Sequence, residues 1–426
     1  MRGTNSIHPT YGEEFNCIGP ACEDTCCHGW VVPVDQSAYY KLRTLPAGPL
    51  RTLIDANILV GSQSENSGAH KFATISMTSS GCCPLLGEDR LCRIQAEVGE
   101  AFLPHTCATY PRIVQMVGGI QEKSLALSCP EAARLVLLHQ DLLQQQSASA
   151  QDVSVHSRTA EDGLTHPGFW PIRNFVVRLV TNRNYPVWQR LFLLGVFCRK
   201  LALLQQDLEP DDLQELLRDF ESSISSQAPR VEMDALPVNW AAHLDVVLRL
   251  AGMMLHTSAI HPRFVECIQA FTTGIGNGPS ATFDSLTARF AQAHDQVCGP
   301  FLDRHPQILE NYLLNAIFRS LFPFGREGVL AAASPSMIGE HTRLTAQFVL
   351  MRGLLIGVSG FHGKSFQLEH VVHTIQAASK HFEHHPEFLN QAHALLLASG
   401  MEGERGAAIL GNVGTVRHQR STAAST

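Results

Sequence analysis

This 426-residue chain lacks an excess of basic charge and a long uninterrupted apolar run, and its first residues do not predict a secretory signal. Its 32 lysines and arginines are outnumbered by 39 aspartates and glutamates, so the net charge is -7 and no basic face for nucleic acid is expected. The start, MRGTNSIHPTYGEEF, has no apolar segment of the kind found in a secretory signal. The most hydrophobic runs are short, or are interrupted by arginine or lysine well before the roughly eighteen residues of a membrane span. We therefore expect a cytoplasmic protein that binds no nucleic acid and has no transmembrane segment.

Charged residues are also scarce, at 17%, whereas apolar residues make up 45%. Extended disorder is therefore not expected, and the length favours two or more hydrophobic cores. Cysteine is unevenly distributed, because nine of the twelve cysteines lie in the first 129 residues. In a reducing cytosol such density indicates metal binding or redox chemistry rather than disulfides. The other three, Cys198, Cys267 and Cys298, lie in apolar helical patterns and are expected to be core residues.

The local patterns predict a mainly α protein, in which a small irregular α+β, Cys-rich N-terminal domain is followed by an all-α helical domain. Asp35 is expected to cap a helix, and a second helix is expected to run from Ser128 to about Gln146. Gly118-Gly119 indicates a β-hairpin. The predicted domains are a Cys-rich domain at 1–145, a linker at 146–165, an α-helical domain at 166–400 and a disordered tail at 401–426.

The string FNCIGPACEDTCCHGW holds four cysteines within eleven residues, interleaved with Gly and Pro that let the backbone fold around an ion or a cluster. Four thiols packed this closely are energetically unfavourable unless they bind a ligand. The adjacent Cys26 and Cys27 are expected to point apart, which favours a larger cluster, two sites, or one ligand plus one buried thiol over a single tetrahedral ion. Spacing alone favours structural zinc.

Later cysteines occur in GCCPLLGEDRLCRI, HTCATYPR and SLALSCPEAARL. Cys129 in the last of these lies at a predicted helix N-terminus, where free amides and the helix dipole lower the pKa of a thiol. Two roles stay open for Cys129: a metal ligand, or a half-buried residue of the first helical turn.

In CIGPACEDTCCHGW, CPLL followed by LCRI, CATYPR and SLALSCPEAARL, which occur in the matching order and spacing, the chain resembles the flagellin lysine-N-methylases of the FliB type. The resemblance covers roughly Phe15 to Leu389 and is strongest before Arg134. It implies methyl transfer from S-adenosylmethionine to the ε-amino groups of lysines on flagellin, or on another protein with surface lysines. It also implies dependence on a Cys-bound [4Fe-4S] cluster, with zinc as the alternative.

The same resemblance implies a set of metal ligands, and Cys82 is a local extra outside it. The implied ligands are Cys17, Cys22, Cys26, Cys27, Cys83, Cys92, Cys107 and Cys129. Eight thiols exceed the four ligands of one cluster. The favoured pool for the main site is Cys22, Cys26, Cys83, Cys92 and Cys107.

Two familiar cofactor motifs are missing. A radical S-adenosylmethionine enzyme would show the motif CxxxCxxC. Here Cys22 and Cys26 match its first two cysteines, but the third position of the motif is occupied by Gly29. A Rossmann-type methyltransferase would show a Gly-rich turn between a strand and a helix, whereas GIGNGPS at 274–280 and GVSGFHG at 357–363 follow helical patterns. The cofactor pocket and the choice between polar and radical transfer therefore stay open.

A lysine amine must lose its proton before it attacks a methyl group, so a base or an apolar pocket is required. The candidate bases near the motifs are His28, His105, Tyr110 and Asp24, each of which also fits a hydrogen-bonded structural role. Arg112 could bind the carboxylate of the cofactor, or pair with Glu23 or Asp24; the pairing is favoured.

Two other interpretations bear on function. His381 and His385, four residues apart, could share a metal ion, but a solvated helix end before Pro386 is favoured. The surplus thiols and the missing cofactor motif also permit a non-catalytic metal-binding or redox-sensing protein, with a structural zinc site and a helical partner-binding scaffold.

Overall fold

The structure is a computed structural model that describes residues 5–60, 72–117, 120–147, 168–204, 209–256, 261–325, 336–383 and 385–414. It confirms a mainly α protein with a small α+β N-terminal region. The strands are β1 Asn5–Pro9, β2 Val32–Val34, β3 Ile58–Val60, β4 Ala73–Ile75, β5 Arg112–Val117, β6 Ile120–Leu125 and β7 Leu143–Ser147. The N-terminal helices are α1 Tyr11–Glu14, α2 Gln36–Arg43, α3 Pro49–Asn57, α4 Arg93–Val98, α5 His105–Thr109 and α6 Pro130–Leu138.

The later part of the chain is helical throughout its described residues. Its helices are α7 Phe169–Val180, α8 Val187–Leu204, α9 Pro210–Ser225, α10 Ala228–Asp234, α11 Trp240–Leu255, α12 Pro262–Gly274, α13 Phe283–Ala293, α14 Gly299–Arg304, α15 Gln307–Ser320, α16 Met337–His362, α17 Leu368–Phe382, α18 Pro386–Ala398 and α19 Glu404–Gly411. A π-helical turn at His294–Cys298 joins α13 to α14.

The chain divides into two compact units. The first consists of Met1–Gly163, His256–Phe264 and Ile375–His385; the second consists of Leu164–Leu255, Val265–Thr374 and Pro386–Thr426. The predicted linker falls mostly on residues that the structure does not describe. Two short segments that the sequence places in the helical domain belong to the first unit, because their side chains bind the cysteine loops, as described below.

The first unit contains three small antiparallel sheets among its described residues, with strand orders β1-β7, β2-β4-β3 and β5-β6. Strand β4 pairs on both sides, so that Ala73 faces Val34 of β2 and Val60 of β3. Alternating apolar side chains of these short strands form a core with the neighbouring helices. Its buried members include Val32, Val34, Leu42, Ile54, Ile58, Ile75, Leu85 and Ile94.

Local signals fix two elements as predicted. Asp35 caps α2, because its side chain accepts a hydrogen bond from the backbone amide of Ala38. The predicted hairpin is formed by β5 and β6, in which Val117 pairs with Ile120. The two glycines between them lie outside the described residues.

The helix predicted to run from Ser128 to Gln146 is wrong at its C-terminal end. Helix α6 ends at Leu138, and the polar run that follows forms β7, which pairs antiparallel with β1 at the start of the chain. The helical pattern of the sequence is therefore overridden by a strand partner more than a hundred residues away.

Helix α16 is the core helix of the second unit and packs against α8, α11, α13 and α18. It is apolar on all sides, as expected for a helix surrounded by other helices. Counted with the short turn that follows it, this stretch is long and apolar enough to cross a membrane by length and composition, and 89% of its apolar window is buried inside the protein. Arg352 in its middle had led us to expect separate short runs.

The two Gly-rich stretches of the second unit serve close helix packing. A Cβ atom at Gly357 of α16 would lie 2.2 Å from Phe271, and one at Gly274 would lie 1.8 Å from the Gly357 carbonyl oxygen. Only glycine allows the backbones of α16 and α12 to approach this closely. These glycines therefore have a packing role, in agreement with the absence of a nucleotide-binding turn.

The prediction of a disordered tail is wrong for the part of 401–426 that the structure describes. Residues 404–411 form α19, which packs on α8 and buries Ala407 and Leu410 completely. The guanidinium of Arg352 donates hydrogen bonds to the carbonyl oxygens of Gly411, at 2.7 Å, and Leu410, at 2.8 Å. A buried cation at a helix C-terminus satisfies carbonyls that the helix itself leaves unpaired.

We expect Leu410→Ala to lower the free energy of unfolding by about 2–5 kcal/mol, because it removes a buried side chain and leaves a cavity. Leu203→Ala is the matched control, since Leu203 is 81% exposed and its loss should change stability by less than about 0.5 kcal/mol. Urea denaturation followed by circular dichroism measures both. Equal stability of the two variants would contradict the packed C-terminal helix.

Candidate functional site

A tight loop carries Cys26 and Cys27 against a second loop that carries Cys83. The Cys83 amide donates to the Cys27 carbonyl at 2.7 Å, and the Gly29 amide donates to the Gly81 carbonyl at 3.0 Å. Both glycines have φ near +80°, at +85° and +79°, a conformation that side chains with a Cβ atom rarely adopt. The two loops are thereby fixed side by side.

Two further cysteines are positioned by short helices. Cys92 is the N-cap residue of α4, and Cys107 lies in α5. One carboxylate holds α5 in place: Asp35 accepts from the amide of His105 at 2.8 Å through one oxygen and from the amide of Ala38 at 2.9 Å through the other. The residue that caps α2 therefore also fixes the start of the Cys107 helix.

These loops and helices enclose a cavity of about 70 Å³. Its thiols are those of Cys26, Cys27, Cys83, Cys92 and Cys107. The rest of the wall is mainly apolar and is formed by Trp30, Val32, Ile75, Leu85, Ile94, Gln95, Leu103, Pro104 and Tyr110. A space of this size corresponds to several water-sized spheres at about 10–15 Å³ each, and therefore admits a polyatomic group.

The expectation that the adjacent Cys26 and Cys27 point apart is wrong. Both residues lie in a turn rather than in an extended strand, and both side chains line the same cavity. The Cys27 thiol is in hydrogen-bonding range of the thiols of Cys26 and Cys83. Five thiols from four separate stretches of sequence thus meet at one place.

Burial and hydrogen bonds between the thiols shift the pKa values of several of these cysteines. Burial raises the pKa of Cys107 well above the ordinary thiol value. For Cys27 the hydrogen bond with Cys26 lowers the pKa, but the hydrogen bond with Cys83 and burial outweigh it and raise the pKa to about 12. The pKa of Cys83 is lowered, chiefly by its hydrogen bond with Cys27. Without a ligand the cavity therefore avoids a cluster of unpaired negative charges.

Four cysteines of the N-terminal region do not line the cavity. Cys17 is exposed, and Cys22 precedes the loop that carries Cys26 and Cys27. Cys82 forms an antiparallel backbone β-bridge with His28. Cys129 is the buried N-cap residue of α6, and burial raises its pKa to about 12 although backbone amides act in the opposite direction. The expected lowering at the helix N-terminus is therefore reversed by desolvation.

Four of the five cysteines in the favoured ligand pool therefore line the cavity, namely Cys26, Cys83, Cys92 and Cys107. Cys27 lines it as well, whereas Cys22, the fifth member of the pool, does not. Cys198, Cys267 and Cys298 are buried in the second unit, which confirms their predicted place in the core. Among the described residues, no group of three or more His, Cys, Asp or Glu side chains is arranged to hold a single metal ion.

Two of the four candidate bases lie in surroundings that oppose the role. Asp24 forms a buried ion pair with Lys380; burial alone would raise its pKa, but His261 and Lys380 together hold it well below the usual range. The hydroxyl of Tyr110 donates to Ser128 Oγ at 3.1 Å, and burial raises its pKa well above 10.0. Asp24 is therefore a weak base, and Tyr110 stays protonated.

The two histidine candidates lie at different places. His28 contacts the carbonyl oxygen of Ser80 through Nε2 at 3.0 Å, so that Nε2 carries the proton and Nδ1 holds the lone pair. Burial lowers the pKa of His28, and its ring lies edge-on to His261 at 4.7 Å. His105 is the first residue of α5, where its amide binds Asp35.

The favoured pairing of Arg112 with an acidic residue is wrong. Its guanidinium donates to the Phe15 carbonyl oxygen at 2.8 Å and lies over the Phe15 ring. Glu23 instead pairs with Arg134 at 2.7 Å. Arg112 therefore contacts Phe15 rather than an acidic side chain.

Residues from the distant end of the chain contact the cysteine loops, and nothing in their sequence predicts it. Lys380 and His381 are buried, whereas a solvated helix end was favoured there. His381 packs on the Phe264 ring at 4.7 Å, and burial lowers its pKa to about 4. The residues before Pro386, SKHFEHH, are polar except for Phe382, which is typical of an exposed helix end, so no local signal marks these side chains as buried.

Fold and site together define a class of protein in which an α+β unit builds a thiol-lined cavity and a second unit is helical. A family profile described as the FliB lysine N-methylase C-terminal domain matches residues 173–410. The chain is also 32% identical over 337 residues to a lysine-N-methylase of Salmonella typhimurium, a match that covers 76% of this chain and 80% of that protein. The chain belongs to the FliB lysine N-methylase family, and as a homologue of these methylases it is an enzyme.

A further relative is the flagellar biosynthetic protein FliU of Salmonella muenchen, 33% identical over 144 residues, which span 34% of this chain and 83% of that protein. A lysine-N-methylase of Salmonella choleraesuis is 32% identical over 199 residues, 46% of this chain and 47% of that protein. No solved structure shows a significant match to the chain.

In the metal-free protein at about pH 8, we expect Cys27 and Cys107 to react with iodoacetamide far more slowly than the exposed Cys17. Only the thiolate reacts, and a thiol of pKa near 12 is about 10³-fold less ionised at this pH than an ordinary one. Mass spectrometry of peptides after timed labelling gives the rate for each site. Comparable rates at Cys17 and Cys107 would contradict the buried, protonated cavity.

Proposed function

We propose that this protein transfers methyl groups from S-adenosylmethionine to the ε-amino groups of lysines on flagellin, and that its activity depends on a [4Fe-4S] cluster held in the thiol-lined cavity. The convergence of five thiols on one cavity carries the cluster part of the proposal. Family membership carries the methyl transfer. The name of the FliU relative, a flagellar biosynthetic protein, supports a flagellar substrate.

The residues of the cavity fit such a cluster. Thiolates are the ligands of iron–sulfur clusters, and the five available exceed the four required. The volume of about 70 Å³ suits a polyatomic group better than one ion in a closed tetrahedral site. The mainly apolar wall limits the access of water, which is one of the factors that set a reduction potential.

The chain's own residues have defined tasks in this proposal. Cys26, Cys27, Cys83, Cys92 and Cys107 supply the pool of ligands. Their protons leave when metal binds, because a coordinating thiol is deprotonated outright. A cluster held by these residues would supply a redox-active group next to the loops. Trp30 Nε1 donates to the Cys26 carbonyl at 2.7 Å and so braces the loop that carries two of the thiols.

A reducing compartment suits this site. All twelve cysteines are free, including the five at the cavity, and thiols persist in this form in the cytoplasm. We therefore propose a cytoplasmic enzyme that acts on subunits before they are exported.

Given S-adenosylmethionine and flagellin, the cluster-loaded protein should add methyl groups to flagellin lysines, and the metal-free protein should not. Mass spectrometry of flagellin peptides measures the added mass of one methylene per methyl group. A matched reaction with a lysine-rich protein unrelated to flagella tests selectivity. Flagellin that stays unmodified would refute the substrate, and equal modification by metal-free protein would refute the dependence on a cluster.

After anaerobic purification we expect about four iron and four sulfide per chain, with broad absorption near 400 nm. Cys83→Ala and Cys107→Ala should lose the metal and destabilise the first unit, since binding energy at such a site is largely folding energy. Cys267→Ala is the control and should keep it. Stoichiometric zinc with negligible iron would favour the structural zinc alternative. Loss of metal from Cys267→Ala equal to that from the cavity variants would show that metal binding does not depend on the cavity thiols.

A further inference from the structure

A buried ion pair lies directly beside the loop that carries Cys26 and Cys27. Lys380 Nζ is 2.9 Å from both carboxylate oxygens of Asp24 and donates to the Thr25 carbonyl oxygen at 2.8 Å. The two side chains of the pair are each only 4% exposed. Lys380 therefore holds the chain at two successive residues of this loop.

Gln376, on the same helix, and Glu383, directly after its last residue, contact a second cysteine loop. Gln376 Nε2 donates to Asp24 Oδ2 at 2.8 Å and to the Ser128 carbonyl oxygen at 2.9 Å. The Glu383 carboxylate accepts from the amides of Leu127 and Ser128 at 3.2 and 3.1 Å. Gln376 thus touches both loops, and Glu383 holds the one that ends in Cys129.

The spacing explains why one helix can do this. Gln376 and Lys380, four residues apart, share one face of α17, and Glu383, three residues after Lys380, directly follows the last residue of that helix. We call this set the 376–383 face. Charged and amide groups at these positions meet the free backbone groups of two irregular loops, which helps to satisfy their hydrogen bonds away from water.

The contacts continue to the cavity. The Thr25 hydroxyl, next to Asp24, accepts from the Cys27 amide at 3.1 Å. On the other side, Ser128 Oγ meets the hydroxyl of Tyr110, a cavity residue, at 3.1 Å. The 376–383 face is therefore connected to the cavity wall in two places. Thr25 links it to Cys27, and Ser128 links it to Tyr110.

We infer that Gln376, Lys380 and Glu383 are positioning residues that fix the two cysteine loops for cofactor binding. The inference rests on the proposed function for the identity of the cofactor, but the positioning itself concerns the protein alone. Removing one partner of a buried ion pair leaves an uncompensated charge, whereas removing both is far milder. The pair therefore predicts a specific pattern among single and double variants.

The test measures thiol labelling in the metal-free, full-length protein, residue by residue, by mass spectrometry. Lys380→Met should raise the labelling rate of the partly buried Cys27 by roughly tenfold or more, because the loop opens when Asp24 loses its ammonium partner and keeps only Gln376 and His261. Asp24→Asn combined with Lys380→Met should return the rate toward that of the wild type. Lys364→Met, at an exposed lysine, is the matched control and should change nothing.

Glu383→Gln provides an independent variant and should raise labelling at Cys129 more than at Cys27. Cys198 and Cys267, buried in the second unit, report on global unfolding and should stay protected in every variant. A local effect at the predicted cysteines supports the inference. Labelling in Lys380→Met and Glu383→Gln that equals the control overturns it, as does a double variant at least as reactive as Lys380→Met alone.

Iron content and the absorption spectrum after anaerobic reconstitution form the second readout. The single variants should bind less iron than the wild type, and the double variant should recover part of it. A wild-type protein without iron would contradict the cluster in the proposed function, while the labelling rates would still decide the positioning. Wild-type protein with iron, and single variants with the same iron and spectrum, would overturn the positioning alone.

Discussion

A carboxylate and an ammonium group taken out of water hold the first unit of this enzyme together. Each charge alone would be strongly unfavourable in the interior, and the pair is tolerated because Asp24 also binds Gln376 and lies within 3.3 Å of His261. The partners of Asp24 come from two segments far along the chain. That requirement explains why a unit built mainly from N-terminal sequence also includes residues 256–264 and 375–385.

The thiol cavity obeys a related rule. Its walls are mainly apolar, so that ionised thiols are unfavourable there. Burial raises the pKa of Cys107, and the hydrogen bond with Cys83 together with burial raises the pKa of Cys27. Metal binding at such a site must release protons, and its affinity must rise with pH as those protons become easier to remove. Loading the cavity and discharging its protons are therefore one coupled event.

Features determined by neighbouring residues were predictable from sequence. The cap at Asp35, the β5–β6 hairpin and the core position of Cys198 depend on local patterns, and the structure reproduces them. Features determined by distant partners were not. Residues 143–147 pair with the chain start, and Lys380 is buried because Asp24 lies opposite. No local pattern contains that information.

The candidate site shows the same division. The clustered cysteines indicated a thiol site. Which of them line the cavity depends on the turn that directs both Cys26 and Cys27 into it. The arrangement of the C-terminal tail likewise depends on Arg352, whose guanidinium satisfies the last carbonyls of α19. A stretch rich in Gly and Ala is typical of a flexible tail, and its sequence does not show that Arg352 binds its last helical carbonyls.

The separation between Asp24 and its partner also sets an order of events during synthesis. Lys380 follows Asp24 by 356 residues, which at about 5–20 residues per second takes roughly 20–70 s to translate. Throughout this interval the cysteine loops have left the ribosome without their clamp. The finished arrangement of the N-terminal loops therefore arises only when nearly the whole polypeptide exists, so that the thiol cavity takes its final form late in synthesis or after it.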